Sequence, residues 1–287
     1  PADAAQAHQR LIAAGVPIAD DPPEAFDVCI DALLGIGGQL REPSARMAQW
    51  MEWMQRSGKP VLAVDTPSGL NADTGVASAL HVHAHHTLSL LTLKPGLFTA
   101  QGRDACGSVW FDDLGVGADT ITQAPSPSAW LAGAPKLQAR QHNSHKGSFG
   151  DVAIVGGAQG MTGAALLAGQ AALYAGAGRV YVALLADQPL PIAGVPAELM
   201  FRNVQHLDVS GMTVVCGCGG GETVRSILPQ ILANAAAAVI DADGLNAMAD
   251  DEALQHALDE RSRHTHPTVL TPHPLEAARL LGCTAAD

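Results

Sequence analysis

The sequence predicts two α/β domains, on three observations. The chain has 287 residues, 47% of them hydrophobic, which is too long and too apolar for a disordered segment or one minimal domain. Short apolar runs that end in aspartate or glycine alternate with helical stretches, the pattern of βαβ units and parallel sheets. That pattern breaks at "TQAPSPSAW" (Thr122–Trp130), where proline and serine defeat both periodicities, and then starts again. The expected division is a first three-layer α/β domain over 1–122, a linker over 123–135 and a second three-layer α/β domain over 136–287.

Taken in order, "PADAAQAHQRLIAAG" already runs as a helix from the first residue. It opens without a methionine, so the left edge is expected to be a cut. "FDVCIDALLG" (Phe26–Gly35) and "KPVLAVD" (Lys59–Asp65) read as strands ending in acids, separated by a helix around "ARMAQWMEWMQRSG" that stops at Gly58. "HHTLSLL" and "CGSVWFDDL" are further strand candidates. After the break, "DVAIVGGAQGMTGAALLAGQAALYAGAGRVYVALL" gives strand, glycine turn, small-residue helix, glycine turn and strand. "MTVVCGCGGGE", "AAAAVIDADGLNAM" and "PTVLTPHPLEAARLLG" each present an apolar strand whose carboxyl end delivers glycines, acids or a histidine. Ligands bind outside those ends in open parallel sheets.

Composition narrows the partners. The net charge is −12 and the pI near 5.3, which argues against nucleic acid or an anionic membrane as the main partner. A small anion remains compatible, because backbone N–H groups and helix N-termini bind phosphate without basic side chains. Five irregularly spaced cysteines favour a reducing compartment. No stretch has the length of a membrane span, and the alanine-rich opening lacks the basic flank and apolar core of a signal peptide. A soluble, cytoplasmic protein is expected.

Asp65 closes a strand, Pro67 fixes the turn after it, and Ser68 and Gly69 let the backbone approach a bound group. Alone, "DTPSG" is read equally well as an acid capping its own turn. Asp31 ends the other strand and leads into the glycine-rich "GIGGQ" loop, so two acids and a loop are expected to meet at one sheet edge. "DALLGIGG", "REP", "VLAVDTPSGLNADTG" and "LTLKPGL" in this order resemble the epimerase domain of NAD(P)H-hydrate repair enzymes, which interconverts the R and S hydrates of reduced nicotinamide cofactors. The resemblance implies a partial Rossmann-like domain. It makes Asp31 and Ser68 the expected potassium ligands; a carboxylate and a hydroxyl oxygen are hard donors that suit an alkali cation. It also implies that Gly35, Ile36, Gly37, Gly38, Gln39, Leu40, Arg41 and Asp65 contact the hydrated cofactor, with Asp65 the candidate catalytic residue.

The second domain is matched independently. "HKGSFGDVAIVGGAQGMTGAALLAGQAALYAGAGRVYV", "PAELM", "VIDADGLNAM" and "LTPHPLEAARLLG" resemble the dehydratase partner of that epimerase, a ribokinase-like domain seen here in part. The resemblance implies an isomerase joined to a lyase, acting on the hydrates NADHX and NADPHX. ADP is the implied co-substrate, with Mg2+, and a homo-oligomer is implied. The implied chemistry is phosphorylation of the hydrate's hydroxyl and elimination of phosphate, which replaces a poor leaving group by a good one. Ala164, Gly219 and His273 match positions that contact the hydrate. Each also has a plain structural reading: close packing, a turn, and a residue before a helix. Cys218 stands in "GCGGG" where the family has proline.

The family's Asn-Asn-Gly-Gly-Asp loop is expected before Pro1, and its Gly-x-Gly-Asp segment, with the catalytic base, beyond Asp287. This exact segment is therefore expected to have impaired activity. Weaker signals are His81, His83 and His85 as metal ligands on one strand face, with His86 out of that register, Cys216 and Cys218 as a metal pair, and Asp241 and Asp243 as a magnesium site. Trp50, Trp53, Met47, Met51 and Met54 at helical spacing read as core or a subunit contact. Gly156, Gly157, Gly160 and Gly163 do not make G-x-G-x-x-G, so an oxidoreductase loses its main support. Two rivals stand beside the repair enzyme: a ribokinase-like kinase for another small molecule, and a non-catalytic binding protein.

Overall fold

The structure, a computed structural model, describes residues 2–36, 42–116, 126–135, 139–186 and 194–285. Its internal contacts divide the chain into two compact units, Pro1–Gly133 and Ala134–Ala285. Each is built on a parallel sheet with helices, as the apolar runs ending in acids and glycines predict.

In the first unit, β1 (Cys29–Asp31), β2 (Val61–Val64), β3 (His86–Leu90) and β4 (Ser108–Asp112) lie side by side in chain order, all parallel. Helix α1 (Ala2–Ala13) precedes them, α2 (Ala45–Arg56) crosses from β1 to β2, and the short α3 (Gly102–Cys106) leads into β4. Ser44 caps α2 by accepting from the Met47 N–H. Met51 and Met54, one helical turn apart, pack on Cys29, Val61 and Ala63. Trp53 lies 4.8 Å from the Phe26 ring and 5.7 Å from Trp50, so Met51, Met54 and Trp53 of the stripe are core packing, while Met47 and Trp50 are half-buried.

The histidine run departs from expectation. β3 begins only at His86, so His81, His83 and His85 precede the strand and do not line its face. Val82 and Ala84 are the inward residues of this extended segment, and the alternation that suggested metal ligands is the outward half of an ordinary buried pattern. His85 Nδ1 accepts from the Val61 N–H at 3.1 Å and Trp110 Nε1 donates to His86 Nδ1 at 3.3 Å.

The second unit has β5 (Asp151–Gly156), β6 (Arg179–Leu184), β7 (Met200–Phe201), β8 (Thr213–Cys216), β9 (Ala237–Ile240) and β10 (Thr268–Leu270), in spatial order 10-9-8-5-6-7 and all parallel. Its helices are α4 (Thr162–Ala175), α5 (Leu228–Asn234), α6 (Asp243–Ala249), α7 (Glu252–Arg263) and α8 (Pro274–Leu281). Alternate strand residues feed two cores. Val155, Cys216 and Ile240 pack with Ile231, Leu232, Leu245 and Met248 on one face, while Ile154, Val180 and Val182 pack with Ala165 of α4 and Leu199 on the other. Helices therefore cover both faces, giving three layers. The chain runs outward from β5 to β7, returns to β8 beside β5, and continues the opposite way to β10. The turns after β5 and β8 thus flank a topological switch point, where such sheets bind ligands. Among the described residues no helix is long and apolar enough to cross a membrane.

Candidate functional site

At the carboxyl edge of the first sheet, Asp31 is fully buried although it is an acid at a strand end. Its Oδ2 accepts from the Ser68 N–H at 2.7 Å, and its Oδ1 accepts from Ser68 Oγ at 2.7 Å and the Leu33 N–H at 3.3 Å. Ser68 Oγ in turn accepts from the Leu34 N–H at 3.0 Å. Burial pushes the Asp31 carboxyl above its ordinary value, and the three hydrogen bonds pull it back only in part. The two oxygens named as potassium ligands therefore touch, in a dry site rich in hard donors.

Asp65 follows β2 with φ of 73°, a left-handed conformation that aspartate tolerates better than most residues. Its N–H donates to Leu88 O at 2.8 Å, and its Oδ1 accepts from the Leu90 N–H at 3.2 Å and from Lys94 Nζ. The other oxygen, Oδ2, faces the β1 loop: a Cβ placed on Gly35 would lie 3.9 Å from it. Ile36 is exposed, and Gly37, Gly38, Gln39, Leu40 and Arg41 lie outside the described residues.

In the second unit the turns after β5 and β8 are laced together. Gly157 N–H donates to Cys218 O at 3.0 Å and Ala158 N–H to Gly219 O at 2.7 Å. Gly219 has φ of 58°, and a Cβ there would come within 3.1 Å of the Ala164 Cβ and 2.9 Å of the Met161 Cβ, so only glycine fits. Gly219 and Ala164 are thus neighbours across the switch point. The "DAD" turn after β9 latches the same loop at two points. Cys218 Sγ donates to Asp241 Oδ2 at 3.4 Å, and Gly221 N–H to Asp243 Oδ2 at 2.8 Å. Thr271 Oγ1, after β10, donates to Asp241 Oδ1 at 2.7 Å. Burial, reinforced by Asp241, pushes the Cys218 thiol up to about 12, which fits its role as a hydrogen-bond donor to Asp241.

His273 sits on the same edge, two strands from Gly219. Its Nδ1 accepts from the Leu275 and Glu276 N–H groups at the start of α8, while Glu276 Oε2 accepts from the His273 N–H at 3.0 Å. This reciprocal cap fixes the ring while leaving it exposed, so the structural and binding readings of His273 are compatible.

Residues 1–96 match the family model "YjeF-related protein N-terminus" and residues 152–287 match "NAD(P)H-hydrate dehydratase". The bifunctional NAD(P)H-hydrate repair enzyme of Escherichia coli (strain K12) is 37% identical over 281 residues, 92% of this chain and 51% of that one. Along both units the chain is similar to NAD(P)H-hydrate repair enzymes. The ADP-dependent (S)-NAD(P)H-hydrate dehydratase of Neisseria meningitidis serogroup B is 41% identical over 160 residues, 53% of this chain and 52% of that one. A solved ADP/ATP-dependent NAD(P)H-hydrate dehydratase from Bacillus subtilis, co-crystallized with ATP/Mg2+, is 25% identical over 52% of this chain and 53% of that one, with a TM-score of 0.40. The chain spans about half the length of these repair-family relatives.

The described motif residues lie at the carboxyl edges of the two sheets, and the residues that hold them there were not read in that role. Asp241 and Asp243, suggested as magnesium ligands, are engaged in the glycine-loop latch. Lys94 carried no signal except its position as a lone cation inside the apolar "LTLKPGL". Among the described residues no group of three histidine, cysteine or acidic side chains is arranged to hold a metal ion.

Proposed function

We propose that this chain carries both halves of NAD(P)H-hydrate repair: an epimerase-type site in the domain over 1–122 and an ADP-dependent dehydratase-type site in the domain over 136–287. The observation that carries this is the order of the two family matches, each with its motif residues converging on the carboxyl edge of its own sheet. In the first site, Asp65 Oδ2 is the oxygen that would move a proton on the R or S hydrate, across from the Gly35 loop. Asp31 and Ser68 would hold potassium, which would supply positive charge to a buried carboxylate; the rise of Asp31 on burial fits that role.

In the second site, the loops around Ala158–Ala164 and Gly217–Gly221 would receive the dinucleotide, with His273 on the same edge. Transfer of the terminal phosphoryl of ADP to the hydrate's hydroxyl gives AMP and a phosphate ester. Loss of phosphate and a ring proton then restores NADH or NADPH. The cytoplasm, where both cofactors turn over, is the compartment this work requires, and a homo-oligomer is part of the same proposal.

The test is to give the chain a mixture of R and S NADH hydrate with and without ADP and Mg2+. Interconversion of the two hydrates by chromatography reads the first site, and ADP-dependent recovery of NADH absorbance reads the second. A phosphorylated product that persists would make the second domain a kinase. Hydrate binding without turnover, by a protein whose own reading frame ends at Asp287, would favour a binding protein.

A further inference from the structure

Lys94 is a buried lysine at the edge of the first site that neither the motifs nor the comparisons assign. Its position is fixed by the two residues after it. Pro95 opens a 3₁₀ turn over Pro95–Leu97, and Gly96 packs so closely on the next loop that its N–H reaches Ala72 O at 2.7 Å and an added Cβ would lie 2.2 Å from Asn71 O. The ammonium has three N–H bonds, and three protein oxygens take them: Asp65 Oδ1, Leu90 O at 2.7 Å and Ser89 Oγ at 3.3 Å. Ser89 gives its own proton to Thr92 O at 2.9 Å, so its lone pairs are free to accept. With every donor engaged inside the protein, Lys94 has none left for a substrate.

The ion pair is also one-sided. Lys94 and the Leu90 N–H both take Asp65 Oδ1, while among the described residues Oδ2 accepts no bond and is turned to Gly35. Here the left-handed backbone of Asp65 and the lysine act together to hold one oxygen and aim the other.

We infer that Lys94 is a positioning residue for Asp65: it clamps Oδ1 so that Oδ2 is the oxygen offered to the hydrated nicotinamide ring. The role rests on the epimerase-type reading of this site; the clamp itself does not. Lys94→Met and Lys94→Arg in the full chain give the first readout. Loss of a positioned general acid or base removes about 100-fold or more from turnover, so Lys94→Met should lose kcat on that scale while KM moves by less than about threefold. Lys94→Arg should recover part of the loss, since a guanidinium can still donate to Oδ1. A loss confined to KM, or a kcat within about threefold of wild type, overturns the inference.

The second readout needs no turnover and no variant that must fold. Acetic anhydride labelling followed by mass spectrometry should modify Lys94 at least about tenfold more slowly than the exposed Lys59 and Lys146, because an amine with all its protons bonded is a poor nucleophile. Asp65→Ala should speed it. Lys94 labelling as fast as Lys59 in the wild-type chain overturns the clamp. A protected Lys94 in a wild-type chain that does not interconvert the hydrates supports the clamp and sinks the epimerase reading instead.

Discussion

Ser68→Ala should destabilise the first unit by about 3 kcal/mol at neutral pH. The hydroxyl makes two bonds, one donated to Asp31 Oδ1 at 2.7 Å and one accepted from the Leu34 N–H at 3.0 Å. A hydrogen bond to a charged group contributes about 1.5 to 3 kcal/mol, and an abandoned part-buried donor adds about 1 kcal/mol. Both Ser68 and Asp31 are fully buried, so water cannot replace the lost partner. The Ser68 bonds lower the carboxyl's pKa, so they favour the ionised form, and the penalty should be largest above that pKa and shrink in acid. Urea unfolding followed by tryptophan fluorescence isolates the effect, since Trp50, Trp53, Trp110 and Trp130 all lie in Pro1–Gly133 and both tyrosines in the other unit. A change below about 1 kcal/mol at neutral pH, less than the charged bond alone is worth, would show that the hydroxyl does not support the buried carboxylate.

Asp31 itself makes the first unit pH-sensitive. Its folded pKa is raised above the ordinary aspartate value, so the folded state holds the proton more tightly, and this group's contribution to stability falls as pH rises from the unfolded value through the raised folded one. Replacing choline chloride by potassium chloride should lift the tryptophan-reported melting point above that window and do nothing below it; equal midpoints in both salts above the window would remove Asp31 and Ser68 as potassium ligands. Gly219→Ala should weaken binding of NADH hydrate by at least about tenfold in calorimetry, because a Cβ at positive φ costs about 1 to 2 kcal/mol and would press on Met161 and Ala164. Unchanged affinity would place the ligand elsewhere. Ala242 has φ of 44° and ψ of −111°, a strain of about 1 to 3 kcal/mol that Ala242→Gly should relieve. A net gain near 1 kcal/mol should appear as a higher melting point in the tyrosine near-ultraviolet signal, and a loss would mean that the turn is unstrained.

The sequence made strand ends legible because a buried parallel strand must stop where its apolar run meets a residue that cannot be buried unpaired. Asp31, Asp65 and Gly219 all stand at such points. The same rule hid the difference between the two acids. Asp31 is swallowed by three donors, whereas Asp65 is turned outward by a left-handed backbone, and neither donors nor φ can be read from the letters "D-A-L-L" and "D-T-P". Lys94, Thr271 and the "DAD" latch were illegible for a related reason: each acts on a residue distant in sequence, through a register that only the assembled sheet defines. The helices Leu228–Asn234 and Glu252–Arg263 drew no notice beside the strand-end loops that flank them.

The latch on the glycine loop sets an order of assembly during synthesis. Cys218 is held by Asp241, and Asp241 by Thr271, so the loop after β8 acquires this support only when the strand after α7 has emerged and paired with β9. Such long-range contacts form late, because the intervening chain must be ordered first. Until then the turn that would receive a dinucleotide is a run of glycines with one side open. Binding competence in this domain would consequently wait for contacts that form late in folding.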